Sequence, residues 1–485
     1  MRLLQRLFGR VREATGTDPI KHVVVLMFEN HSFDQMLGCF KSVYPDLDGV
    51  DPRQPYSNQD SAGRKYFQRQ SNDTVVNPDP KHELEHILNQ LRGGNAGFVS
   101  EYEKEYPATT ADERQRIMDY FGKGDLPALH ELAECFTICD HWYSSVPGPT
   151  WTNRFFVHSG TSKGLVTMPD GFAPARYYLS YNQDTIYDRL NERRISWRIY
   201  HGDVPQSLVL RHQQQPHNAR HYFFLDRFFR DATGHERSFP QYTFIEPNYF
   251  HLPFEQQPQN DDHPPHSTVA AQELLAKVYN AIRSNAELWN STLLIVVYDE
   301  NGGFYDHIEP PAAVPPDEHH EEYTFDQLGV RVPALLVSPW VDRGVLPTEF
   351  DHTSLLKYMA DKWGLRPLTQ RDRRANSFAA AIRLSGPPRT DTPLSLSVPS
   401  PKLAMAAAPM TAEQPEPAMN ENQKALLRFT EDIEPKPVAA AAAAAPGGFA
   451  AAVAAPTHGQ LAKWRVEAFL RQQTATAEAS TAVSP

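Results

Sequence analysis

Three cysteines, Cys39, Cys135 and Cys139, in 485 residues are too few for a disulfide framework. Cys135 and Cys139 stand at helical spacing, but no second pair accompanies them, so buried thiols are expected rather than a zinc site. Positive charge is short too. Lys and Arg number 47 against 59 Asp and Glu, a net charge of -12, where a general nucleic-acid binder carries a basic excess. No nucleic-acid partner is expected. Long apolar runs are missing: nothing approaches the roughly 20 residues that cross a bilayer, and the alanine tract at 439–445 is weakly hydrophobic and ends at Pro446. The N-terminus lacks the apolar stretch of roughly 7–15 residues that a cleavable signal peptide needs. A cytoplasmic or peripheral membrane location is expected. Within a segment 1–19, Leu3, Leu4, Leu7, Phe8 and Val11 share one helical face and Arg2, Arg6 and Arg10 another. That pattern suits a short basic helix lying on an anionic membrane. A frayed end, given Gly9 and the shortness of the segment, is the other reading.

What is present is ordinary globular composition, 40% hydrophobic and 22% charged. The chain is organised around Leu293 to Pro311. Leu293 to Val297 is a continuous apolar run, suited to a strand buried on both faces of a parallel sheet. It ends abruptly in Asp299 and Glu300, carboxylates that a core accepts only beside something positive. Gly302 and Gly303 allow a tight turn close to a ligand, and Asp306 and His307 follow. His22 to Phe28 repeats the design, ending in Glu29 and Asn30. Two such strands side by side would bring three carboxylates and an amide to the carboxyl edge of a sheet, where open α/β folds place their sites. That oxygen-rich set suits a hard or borderline divalent cation. A helix cap is the alternative use of Glu29 and Asn30.

Residues 41–78 read as a polar surface excursion. Helices are expected over 82–92, 100–119 and 267–284 and from about 353 to Trp363. Strands are expected at Phe136 to Cys139, Ile195 to Tyr200, from Tyr242, and at Ala334 to Val337. The loop Ser144 to Pro149 is rigid, and Thr150 stands where a helix begins. There its hydroxyl either caps the helix or sits where backbone N–H groups favour an anion. His82, His263 and His352 lie near loop–helix junctions, where structural use is equally open. The chain divides into the N-terminal segment 1–19, a domain 20–385, an Ala/Pro-rich linker 386–456 that cannot bury a core but holds a candidate small helix at Ala425 to Phe429, and a C-terminal helix and tail 457–485. Neither part of the tail is expected to touch the chemistry.

Five blocks in order resemble the bacterial and plant phosphoesterase family that includes non-specific phospholipases C and a related acid phosphatase. They are Glu29-Asn-His-Ser-Phe-Asp34, Gly148-Pro-Thr-Trp-Thr-Asn-Arg154, Asn260-Asp-Asp-His-Pro265, Tyr298-Asp-Glu-Asn-Gly-Gly303 with Asp306-His307, and Phe350-Asp-His-Thr-Ser354. The resemblance implies an alkaline-phosphatase-like α/β fold, with a mostly parallel sheet flanked by helices on both faces. It implies Thr150 as nucleophile and Glu29, Asn30, Asp299 and Glu300 as ligands of a divalent metal cation. It implies His82, Asn153, His263 and His352 as phosphate-binding and acid/base groups, and His307 as a histidine near the substrate. The substrate implied is a phospholipid or another phosphate ester. The chain departs from the family at His31, Thr152 and Asn301, where Arg, Pro and often His are usual, and His31 and Asn301 are candidates to retune substrate choice.

The chemistry fits these residue types. A cation held by carboxylates polarises phosphoryl oxygens and lowers the pKa of the Thr150 hydroxyl. Attack on phosphorus would release diacylglycerol, with His352 or His82 protonating the leaving oxygen. A phosphothreonine would then be hydrolysed, with Asn153 holding the non-bridging oxygens. A phosphatase acting on monoesters with the same site is the alternative, and an aromatic entrance from Tyr177, Tyr178 and Tyr181 would favour lipids. A non-catalytic membrane-binding protein would have no use for Thr150 beside three carboxylates.

Overall fold

A computed structural model describes residues 18–169, 181–255, 257–319, 322–397, 418–435 and 456–482. The amphipathic residues 2–11, Tyr177 and Tyr178 lie outside the described residues.

Seven residues of HVVVLMF form β1 (His22–Phe28), every one buried. Consecutive β-branched valines favour extended backbone, and burial on both faces places the strand in the sheet interior. The other strands of the main sheet are β2 (Thr137–Ile138), β3 (Trp197–His201), β4 (Tyr222–Phe224), β5 (Tyr242–Glu246), β6 (Thr292–Tyr298), β7 (Ala334–Val337) and β8 (Gly344–Val345). The eight run in the order β8-β2-β7-β6-β1-β5-β3-β4. Only β7 opposes the rest, pairing antiparallel with β6 and β2, while the other neighbours pair parallel. This is the expected mostly parallel α/β sheet, flanked by helices. β1 and β6 pair from His22↔Thr292 to Phe28↔Tyr298, so both chains leave the sheet side by side. Each large apolar side chain withdrawn from water there contributes about 1.5–3 kcal/mol, so the site hangs from the most firmly held strands.

The helices used below are α1 (Thr150–Ser159), α2 (Thr268–Ser284), α3 (Thr353–Trp363), α4 (Glu421–Ile433) and α5 (His458–Ala482). The helix expected over 100–119 breaks into Phe98–Glu105 and Ala111–Gln115. Pro107 interrupts it, and Thr110 starts a new helix through a capping box with Glu113. The edge strands β4 and β8 were not legible, being too short to show a period.

The division at residue 385 is not a structural boundary. Pro393 O accepts from Tyr279 Oη at 2.7 Å, tying residues past 385 to α2. Nor is the linker wholly without a core. Ala425, Leu426 and Phe429 of α4 are buried in the main hydrophobic cluster, and so are Ala462, Val466, Phe469 and Leu470 of the expected C-terminal helix, α5. Ala425, Leu426 and Phe429 fall on one helical face, and Asn420 starts α4 through a capping box with Gln423. Among the described residues, no helix is long and apolar enough to cross a membrane.

Candidate active site

Glu29, Asn30, Asp299 and Glu300 are fully buried at the ends of β1 and β6. Asn30 turns its chain in the left-handed region, φ 64°, which asparagine tolerates better than most residues. Its N–H donates to Asp299 Oδ1 at 3.3 Å, and the Glu300 N–H donates to the same oxygen at 2.7 Å. The glycine pair serves the chain rather than a ligand. A Cβ on Gly302 would lie 2.3 Å from Asn30 O, and one on Gly303 would lie 2.9 Å from Lys81 O. The pair therefore clamps the His82 loop against the strand ends.

Pro149 is the N-cap of α1, so Thr150 is its first residue and caps nothing. The Thr150 hydroxyl is buried with no hydrogen-bond partner. One turn later, on the same helix face, the fully buried Arg154 donates from Nε to Asp299 Oδ2 at 2.9 Å. Its Nη2 lies 3.3 Å from Glu29 Oε1. The positive end of α1 is thereby drawn towards the carboxylates. Asn153 does not present a free amide, as expected of a phosphate ligand. Its Oδ1 accepts from Val146 N–H at 3.0 Å and its Nδ2 donates to Gly148 O at 2.8 Å. It fixes the loop that delivers Thr150.

The histidines separate by their partners. His82 donates from Nδ1 to Pro80 O at 2.8 Å, which leaves the Nε2 lone pair facing Asn30 Nδ2 at 3.2 Å and Glu300 Oε1 at 3.6 Å. His263 donates from Nδ1 to Pro264 O at 2.7 Å, and its ring meets that of His82 edge-on at 5.4 Å. Burial depresses His82 to about 4; burial and the neighbouring His82 depress His263. Both are neutral bases at pH 7. His352 is differently placed. It accepts at Nδ1 from Trp142 Nε1 at 3.3 Å and donates from Nε2 to Asp299 O at 2.6 Å. Its Nε2 is held by a backbone carbonyl, so it braces the turn at Asp299.

His307 is not brought to this group. Its Nδ1 meets Asp34 Oδ2 at 2.8 Å and its Nε2 meets Asp48 Oδ1 at 3.1 Å. Burial works against its charge, but Asp34 and Asp48 lift it to about 10. It is a buried cation with no free face for substrate. His31, too, is structural, bonded to Gln35 Oε1 at 2.7 Å and Asp262 O at 3.0 Å. Asn301 donates to Phe304 O at 3.1 Å. Tyr181 is core rather than entrance, packed on Phe155 at 4.9 Å.

A divalent cation fits the donor set at the strand ends. Asn30 Oδ1, Glu300 Oε1 and Thr150 Oγ1 are buried and unpartnered. Arg154 reaches Glu29 and Asp299, with Glu246 4.0 Å from its Nη1, and burial acts on all three carboxylates at the strand ends. Burial pushes Glu29 well up, with Arg154 pulling it back. Burial and Asp299 push Glu300 up, and burial lifts Asp299 to about 6 against Arg154. The candidate ligands are not drawn into a tight knot. Among the described residues, the carboxylate and imidazole groups with ligand atoms all within 4.8 Å are Asp34–Asp306–His307, His86–Glu101–Glu105 and Asp184–Asp188–His212.

Sequence reasoning passed over three participants. Arg154 was within a quoted block, and its burial between Glu29 and Asp299 could have been inferred from the need for a positive partner. Asp261 lends its carbonyl to Glu29 N–H at 2.8 Å, and its Oδ2 is buried and unpartnered. Asn422, from the tail, donates to Glu29 Oε1 at 2.9 Å. Its distance in sequence gave no signal.

Residues 20–366 match the Phosphoesterase family. Non-specific phospholipase C3 of Arabidopsis thaliana is 34% identical over 424 residues, covering 79% of this chain and 77% of that one. Non-specific phospholipase C6 of the same plant is 35% identical over 422 residues, covering 82% and 77%. Non-hemolytic phospholipase C of Pseudomonas aeruginosa is 28% identical over 398 residues, covering 71% of this chain and 54% of that one. A Vibrio parahaemolyticus structure in the alkaline phosphatase superfamily aligns with TM-score 0.34 at 10% identity, over 75% of this chain and 71% of that one.

Proposed function

The chain belongs to the Phosphoesterase family, and we propose that it is a metal-dependent phospholipase C with Thr150 as its nucleophile. Its products would be diacylglycerol and a phosphorylated head group. The observation that carries this reading is the Thr150 hydroxyl, buried and unpartnered on the helix whose Arg154 grips Glu29 and Asp299. The relatives' names supply the substrate class, and the basic amphipathic pattern at residues 2–11 supports peripheral contact with the lipid surface.

Glu29, Asn30, Asp299 and Glu300 would hold the cation, which supplies Lewis-acid activation of the phosphoryl group and of a nearby hydroxyl. Thr150 Oγ1 loses its proton and bonds to phosphorus as the bond to the diacylglycerol oxygen breaks. His82, neutral with its lone pair at Nε2, accepts a proton and passes it to the leaving oxygen. Water then cleaves the phosphothreonine. The N-terminal amides of α1 steady the non-bridging oxygens, and Asn153 keeps that turn in place.

The test compares phosphatidylcholine with an aryl phosphate monoester, using wild type and Thr150→Ala. Diacylglycerol release that falls by about a millionfold in the variant, as for other lost nucleophiles, supports the reading. Retention of more than about a tenth of activity overturns the nucleophile, since that is far from the loss expected. Preference for the monoester, also lost in the variant, keeps the site and makes the enzyme a phosphatase.

A further inference from the structure

The tail reaches the site through a single turn of helix. Asn422, 2% exposed, donates from Nδ2 to Glu29 at 2.9 Å for Oε1 and 3.3 Å for Oε2. Its Oδ1 accepts from Trp151 Nε1 at 2.9 Å, which fixes the amide orientation. Trp151 adjoins Thr150, so Asn422 spans the helix of Thr150 and a carboxylate at the strand ends. Neighbouring residues dock the same turn. Glu421 pairs with Lys81 at 2.6 Å, next to His82, and Gln423 Nε2 donates to Tyr249 O at 2.6 Å. The N-terminus of α4, capped by Asn420, thus holds Glu29, α1 and the His82 loop together.

A merely packed helix needs no polar side chain aimed at a buried carboxylate. Glu29 has a second partner, Arg154, at 3.3 Å, and that guanidinium is shared with Asp299. Without Asn422 the carboxylate would have freedom to rotate about its own axis. We propose that Asn422 is a positioning residue of the active site, orienting Glu29 for the cation and coupling the docking of α4 to cation binding. This rests on the reading of Glu29 as a ligand. Coupling of this kind is reciprocal: the cation tightens α4 as much as α4 tightens the cation.

The experiment uses full-length protein stripped with chelator and titrated calorimetrically with Ca2+, Mn2+ and Zn2+, taking whichever the wild type binds most tightly. Asn422→Leu is expected to weaken binding by about 10–100-fold, the usual cost of removing a group that orients a metal ligand. Asn422→Ala deletes the same bonds without bulk, should the leucine variant fail to fold. Amide exchange in Glu421–Ile433 is expected to slow on adding the cation in wild type and to remain unchanged in the variants. Glu29→Gln separates the two claims. If Glu29→Gln loses the cation while both Asn422 variants bind within twofold of wild type, Asn422 is only packing and the proposal is overturned. If Glu29→Gln binds as wild type does, or wild type binds none of the three ions, the ligand reading fails and the proposal with it.

Discussion

Two acidic clusters grow from the same pair of strands. Glu29, Asp299 and Glu300 follow β1 and β6 directly; Asp34, Asp306 and His307 follow a few residues later. Each contains one fully buried arginine. In the later cluster Arg331 donates to Asp306 Oδ1 at 2.9 Å, Asp34 Oδ1 at 3.1 Å, and to Asp48 O and Asp140 O, each at 2.7 Å. Gln68 Nε2 adds a bond to Asp34 Oδ2 at 2.8 Å, and His307 supplies a second positive charge. In the nearer cluster Arg154 Nη1 lies 4.0 Å from Glu246 Oε2 without a hydrogen bond, and Asn30 Oδ1, Glu300 Oε1 and Thr150 Oγ1 have no hydrogen-bond partner. The two are alike in composition and opposite in saturation. A closed network stabilises, whereas buried polar atoms without partners cost about 1–3 kcal/mol each and are retained where a ligand completes them.

The comparison breaks most decisively on cation binding. Glu300→Gln is expected to lose at least a hundredfold in turnover, more than an orienting group would cost. It is also expected to lose the rise in melting temperature that saturating cation gives wild type, which at a hundred times Kd corresponds to about 2.7 kcal/mol. Asp34→Asn should keep that rise, although it lowers the starting stability. Thermal melts of both variants, with cation and with chelator, decide the matter. A cation response lost in Asp34→Asn and kept in Glu300→Gln would exchange the roles of the two clusters.

The next effect is on stability. Arg331→Met strands two carboxylates in the core, and breaking a buried pair in this way costs about 3–5 kcal/mol. Cation affinity should stay within twofold of wild type. Denaturant unfolding and calorimetry on the same variant test both halves. Stability equal to wild type would mean that Arg331 is not the keystone of its cluster.

Much of this was legible beforehand. The apolar runs of β1, β6 and β7 are unbroken, and the abrupt acidic ends of β1 and β6 mark the candidate site because charge is not buried idly. Thr150 and the four ligand candidates stand at those ends and at the start of α1. What sequence could not separate was saturation. His307 and His352 lie in motifs as suggestive as that of His82, yet His307 sits between Asp34 and Asp48 and His352 between Trp142 and the Asp299 carbonyl, whereas His82 Nε2 faces Asn30 and Glu300. Asn153 looks the same whether its amide faces a loop or a phosphate. Asn422 lay beyond reach for the same reason: it is about 390 residues from Glu29, in a stretch whose composition argued against any core.

The last effect separates the clusters by pH. His307, lifted to about 10 by Asp34 and Asp48 against burial, keeps its proton when folded and loses it near 6.5 when unfolded. Its contribution is complete below about pH 6.5 and is lost as pH rises towards 10, by at most about 1.4 kcal/mol per pH unit. His82 and His352, both depressed to about 4 by burial, act in the other direction. They are neutral when folded, so the stability they allow is lost as pH falls below about 6.5 and the unfolded chain takes up protons. His307→Asn should therefore flatten the alkaline limb of the stability profile and leave the acid limb alone. Denaturant midpoints at pH 5, 6.5, 8 and 9.5 measure both limbs. Parallel profiles for variant and wild type above pH 6.5 would mean that His307 is neutral in the folded protein. The later cluster would then lack its second positive charge, and its saturation would rest on Arg331 and Gln68.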